Sequence, residues 1–223
     1  MMPPMSPFCP TSPFRPVLSA VGWFFALSFL CLLVPGLAMV DLFVLENGMG
    51  EQSLTETAQI FCLFLSALAF LHVAVAIPRA RGFSYLVSGA FFTMAIREQD
   101  YAFDFYFHGA WLFPALAIFA IAVTAALRRG TREGILPAAA AFCRTPSAYF
   151  LIAGFVLLLV FSRVFTSGHL FLNRLLTAEC VHVKTCFQEG LELVGYIFVA
   201  AGAVRYTWHI LHHRETDASP AAP

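Results

Sequence analysis

The chain has 223 residues, of which 60% are hydrophobic and 12% charged, and its formal net charge is zero. Its mean hydropathy of +0.78 exceeds what a water-soluble core needs, since soluble domains run nearer half apolar and a quarter charged. No basic run of the kind that binds nucleic acid occurs, so a nucleic-acid partner is excluded and the lipid bilayer is the expected surrounding.

In chain order, residues 1–16 form a Pro- and Ser-rich tail expected to be disordered. The apolar run 17–40 is too long for a signal-peptide core and long enough to cross a bilayer. An acidic loop follows from Asp41. The second span, 55–77, opens on Ser53 and Glu56 at capping-box spacing and stops at Pro78. The third span covers 83–104 and the fourth 109–127. Thr145-Pro146 marks the start of the fifth, 146–163, with an N-cap and a proline at the first helical position. The sixth covers 186–206, and residues 209–223 form a tail. The expected fold is an all-α, six-span transmembrane bundle.

Charge orients this bundle. With both termini cytoplasmic, nine of the 13 basic residues face inward: Arg15, Arg79, Arg81, Arg128, Arg129, Arg132, Arg144, Arg205 and Arg214. That is the positive-inside pattern. Ten of the 13 acids fall on the outer side. Trp23, Tyr85, Tyr149, Tyr206 and Trp208 are placed at the inner interface, and Tyr101, Tyr106 and Trp111 at the outer one. The expected location is the inner (plasma) membrane.

Helical rise sets the depth of the charges. Arg97 lies about 21 Å above Phe83, and Glu192 about 20 Å above Arg205. Each should fall short of the outer surface of a hydrocarbon core about 30 Å thick. Charges at such depth face the bundle interior and pair. An Arg97–Glu192 ion pair is therefore expected, with Glu189, Asp100 and Arg163 around it. Arg97, Asp100 or Tyr101, Asp104 and His108 would form one face of the third span, and Glu189, Glu192 and Tyr196 one face of the sixth. Arg97 and Glu192 alone would make a clamp between helices, but one arginine does not need three carboxylates. An intramembrane cluster of this kind is by default a functional site.

Glu179 and His182 stand at the ExxH spacing found in di-iron carboxylate bundles. With Asp104 and His108 they would make a mixed ligand set for a divalent transition metal. Cys180 and Cys186 lie on the outer side, where a disulfide is permitted. His72, alone within the second span, is expected as a satisfied interior histidine. Gly154, Gly195, Gly202 and Ala203 suit close helix packing, within the bundle or with a membrane-protein partner. No GxSxG, phosphate-binding loop, dinucleotide fingerprint or HExxH occurs.

Arg97-Glu98-Gln99-Asp100 closing one span, with Gln188-Glu189-Gly190-Leu191-Glu192-Leu193 opening the last, resembles a pattern of uncharacterised small multi-span bacterial integral membrane proteins. The resemblance implies a bacterial location and carries no activity with it. From the residues, the leading expectation is an outward-opening carboxylate site with Glu192, Glu189, Asp100 and Arg97 as its working groups. It would act as a metal- or acid/base-dependent enzyme on a lipid-like substrate. The alternatives are a proton- or cation-coupled transporter and a structural or accessory subunit of a membrane complex.

Overall fold

The computed structural model describes residues 14–46, 53–166 and 181–218. Among these the chain is helical and contains no strand. Helix α1 is Phe14–Phe43, α2 Leu54–Ala76, α3 Arg81–Arg97, α4 Asp100–Asp104, α5 Leu112–Ala126 and α6 Ile135–Cys143. Helix α7, Pro146–Val156, runs through one π turn, Leu157–Phe161, into α8, Ser162–Thr166. Helix α9, Val181–Ala218, closes the order.

Four helical stretches are long and apolar enough to cross a membrane: Val17–Phe43, Leu54–Ala76, Pro146–Val164 and Thr185–His212. The expected third and fourth spans are shorter than predicted. Helix α3 has 17 residues and α5 has 15, below the ~20 that a span normally needs. The third span does not run to residue 104. It stops at Arg97, and Gln99 (φ −103°, ψ 25°) breaks the helical path before α4. The sixth helix is longer than expected, 38 residues, or roughly 57 Å.

Sequence start and stop signals work unevenly. Ser53 caps α2, its Oγ accepting from the Glu56 amide at 3.1 Å. Pro146 opens α7 as expected, but the Thr145 hydroxyl donates backward to the Phe142 carbonyl at 2.7 Å instead of capping. The segment between the fourth and fifth spans, expected as a connection, contains α6.

Two halves of the bundle differ in chemistry. At the end where α2 closes and α3 opens, Phe70 is fully buried and its ring lies 5.5–6.2 Å from those of Phe83, Phe91, Phe142 and Tyr206. Phe142 comes from α6, which seals this end. Tyr206 is part of this aromatic core. The connections here carry Arg79, Arg81, Arg128, Arg129 and Arg132. The opposite end, where α1 closes and α2 opens, holds the buried acids.

Helices α7 and α9 approach closely through small residues. A Cβ built on Gly154 would lie 2.6 Å from the Gly195 carbonyl, and one on Gly195 would lie 2.9 Å from the Gly154 carbonyl. Small residues let backbones meet in this way where lipid removes the hydrophobic drive for helix association. The small-residue set thus serves packing inside the bundle.

Helix α1 sits apart. Most of its side chains are exposed, and Val34 packs on Leu193 and Ile197 of α9.

Candidate functional site

The acidic end is tied together by Asp41, in the last turn of α1 and wholly buried. Its carboxylate accepts from the Leu54 amide (2.8 Å), the Thr55 amide (3.0 Å) and the Thr55 hydroxyl (2.7 Å). The first amides of a helix have no intrahelical partner and carry partial positive charge. Asp41 therefore acts as a second cap on α2, supplied from a different helix.

Beneath this cap, α2, α3, α8 and α9 meet around a group of carboxylates. Gln59 of α2 is buried. Its amide nitrogen donates to the Glu189 carboxylate at 3.0 Å and to the Glu189 backbone carbonyl at 3.2 Å. One turn further along α9, Glu192 is only 7% exposed. It accepts from the Ser162 hydroxyl at 2.6 Å and from the Gln188 amide at 3.3 Å. Tyr196, a further turn on, donates its hydroxyl to Glu98 at 2.8 Å. Arg97 binds the same Glu98 oxygen at 2.7 Å. Glu192, Glu98 and Glu56 all lie within electrostatic range of Glu189.

Ser162 reaches Glu192 because of the π turn. Residues 157–161 wind more widely than an α-helix, so the residues after them rotate relative to α7. Ser162 then points fully inward.

The expected Arg97–Glu192 ion pair is not formed. Arg97 pairs with Glu98 beside it, and its side chain is half exposed. Its helix ends at Arg97, and the half-exposed guanidinium meets the nearest carboxylate. Glu192 is met by neutral donors instead. Arg163, expected in the cluster, is exposed; it follows Ser162 by one residue and so points away from the interior. Asp100 is also exposed, on α4, where its carboxylate accepts from the Tyr101 amide at 2.8 Å. Of the four proposed working residues, Glu189 and Glu192 share the interior, Arg97 lies at its margin and Asp100 lies outside.

Asp104 and His108 form a local pair. The carboxylate meets His108 Nδ1 at 2.9 Å and accepts from the Gly109 amide at 2.9 Å. The Gly109 amide first, and His108 second, hold the Asp104 carboxyl below the usual carboxylate range. Gly109 has φ +83°, a conformation that suits glycine and lets its amide turn toward Asp104. Among the described residues no three His, Cys, Asp or Glu side chains gather as a metal-binding group. Glu179, Cys180 and His169 lie outside the described residues, as does the side chain of His182, whose backbone is in the first turn of α9. Cys186 carries a free thiol. His72 is exposed on α2, not interior.

Gln59, Ser162, Glu98 and Asp41 are the site residues that sequence reasoning missed. Gln59 carried a signal, an amide one turn inside a mostly apolar helix. Asp41 and Ser162 stood at the ends of predicted spans, where polar residues are ordinary.

Two clefts flank α1. One of about 350 Å³ lies between α1 and α9, lined by Cys31, Val34, Pro35, Cys186, Gly190 and Val194 among others. It runs alongside the α9 turn that carries Glu189. One buried and one half-buried carboxylate thus stand inside the bundle beside a cleft with an apolar lining.

No family model matches this chain, and neither a curated protein nor a solved structure is similar enough to it to count as a match.

Proposed function

We propose that the chain is a six-span inner-membrane protein with both ends in the cytoplasm, in which Glu189 and Glu192 form an acid/base site acting on a lipid-like molecule. The observation that carries this reading is the Glu192 contact with Ser162, a carboxylate inside the bundle held by a neutral hydroxyl at 2.6 Å. Ionisable groups at intramembrane depth that face the bundle interior mark proton or substrate paths. The cleft between α1 and α9 supports an apolar substrate, because its lining is apolar and it lies along the helix that carries both carboxylates. Six crossings are supported by the alternation of basic and acidic ends along the chain, with α3 and α5 as the two short crossings.

Turnover of a radiolabelled membrane-lipid extract by the purified protein tests the site. Turnover by wild type that is lost in Glu189→Gln and in Glu192→Gln, both still monodisperse, supports it. Turnover unchanged in both variants, or none by wild type, overturns it. Orientation is tested with a membrane-impermeant maleimide on intact cells. In a chain whose other cysteines are replaced, Cys143, exposed at the end of α6, should stay unlabelled, while a cysteine placed instead at Phe105 should react. The reverse pattern inverts the topology.

A second reading, passage of protons or cations, has one observation in its favour. Glu98 links the interior, through Tyr196, to the half-exposed Arg97, which extends the acidic series toward the surface. Proton flux in liposomes that is lost in Glu192→Gln would favour it over chemistry on a lipid.

A further inference from the structure

The second cleft beside α1 is separate from the carboxylate site. It lies between α1, α2 and α9, has a volume of about 370 Å³, and is lined by Leu30, Leu33, Phe61, Leu65, Ala201 and Val204 among others. Helix α1 meets the bundle above it through Val34 and Leu37, which pack with Leu193 and Ile197. It meets the bundle below through Trp23, whose ring lies 6.0 Å from that of Phe150. Between these two contacts α9 presents Ala200 and Ala201, too small to fill the gap. From Trp23 to Leu37 the slot follows 14 residues of α1, or roughly 21 Å. A cavity of this length and volume is narrow, wide enough for one hydrocarbon chain.

A cation stands at one end of the slot. Arg205, next to Val204, places its guanidinium carbon 5.0 Å from the centre of the Trp23 ring and 6.0 Å from that of Phe150. No carboxylate among the described residues pairs with it. The two rings lie within cation–π range and take none of its N–H groups in a hydrogen bond to a carboxylate, so these groups can match phosphate oxygens in a bidentate fork. Tryptophan at this position is suited to headgroup depth.

We infer that this slot holds one acyl chain of an anionic glycerophospholipid, with the lipid phosphate on Arg205. The apolar slot supplies the tail site beside the loosely packed α1. The unpaired cation at its mouth supplies the preference for negative charge. A zwitterionic lipid offers the same tail and a phosphate already balanced by its own ammonium. The inference rests on the membrane reading but not on the carboxylate site, whose residues it leaves untouched.

Native mass spectrometry of the full chain in detergent, with dioleoyl phosphatidylglycerol and dioleoyl phosphatidylcholine as probes, tests it. One phosphatidylglycerol per chain should be retained in preference to phosphatidylcholine. Arg205→Gln should weaken that retention about fivefold, since one basic residue near anionic headgroups is worth about that factor. Arg205→Lys, which keeps the charge but not the fork, should fall between wild type and Arg205→Gln. Ala201→Phe, which fills the slot and keeps the cation, should weaken retention of the same lipid. If Ala201→Phe is not monodisperse, Leu33→Phe fills the slot from the α1 side. Glycerol phosphate, which has no chains, should not compete. Equal retention of the two lipids, unchanged retention in Arg205→Gln, or competition by glycerol phosphate each overturns the proposal.

Discussion

The Ser162 hydroxyl and the Glu192 carboxylate meet at 2.6 Å inside the bundle, joining α8 to α9 across 30 residues of sequence. Side-chain hydrogen bonds between membrane helices couple by about 0.6 kcal/mol on average and reach about 1.7 kcal/mol. This pair is buried and short, so its coupling should fall in the upper part of that range. A double-mutant cycle of Ser162→Ala and Glu192→Ala, read by unfolding in detergent, measures it. Additive effects would show that the contact carries no energy.

Gly154 and Gly195 should be intolerant of side chains. Gly154→Ala places a methyl group 2.6 Å from a backbone carbonyl, and overpacking of this kind costs about 1–3 kcal/mol. Gly22 and Gly36 of α1 have open space where a Cβ would go. Replacing either with alanine should leave thermal stability unchanged or raise it. Equal losses at all four positions would refute the close approach of α7 and α9.

Asp41→Ala should expose the start of α2. It removes three hydrogen bonds to a charged acceptor, and an unsatisfied buried donor costs about 1–3 kcal/mol. Hydrogen exchange at the Leu54 and Thr55 amides should quicken more than at the middle of the helix. Asp41→Asn, which keeps one acceptor oxygen, should lie between. Uniform quickening along α2 would mean that Asp41 supports the bundle generally and does not act as a cap.

The turn between α4 and α5 should be acid-sensitive. The Asp104 carboxyl is held below its usual range in the folded chain. A depressed folded pKa contributes stability that is present above the unfolded value, about 3.9, and is lost as pH falls through the folded one. Protection of the Gly109 amide should therefore decline below about pH 4. In Asp104→Ala it should already be low at neutral pH. Protection that is independent of pH in wild type would contradict the assignment.

Much of the helix order was legible because apolar run length and Lys/Arg placement report directly on it. Pro78 and Pro146 marked real boundaries for the same reason, since proline acts locally. The α3 end at Arg97 was not legible. Asp100, Asp104 and His108 continue a helical spacing that the backbone abandons at Gln99. The partner of Glu192 was also hidden. Counting residues along a helix gives height and not azimuth, and the half-exposed Arg97 side chain pairs with the carboxylate beside it. Ser162 depended on a π turn, and the residues Leu157–Phe161 read as an ordinary apolar helix.

Asp41 is synthesised before the groups that satisfy it. A chain that reaches only the end of α1 carries a carboxylate whose donors, on Leu54 and Thr55, are still 13 and 14 residues away along the chain. The first helix is therefore completed only by the second, and the pair closes as one hairpin at Asp41.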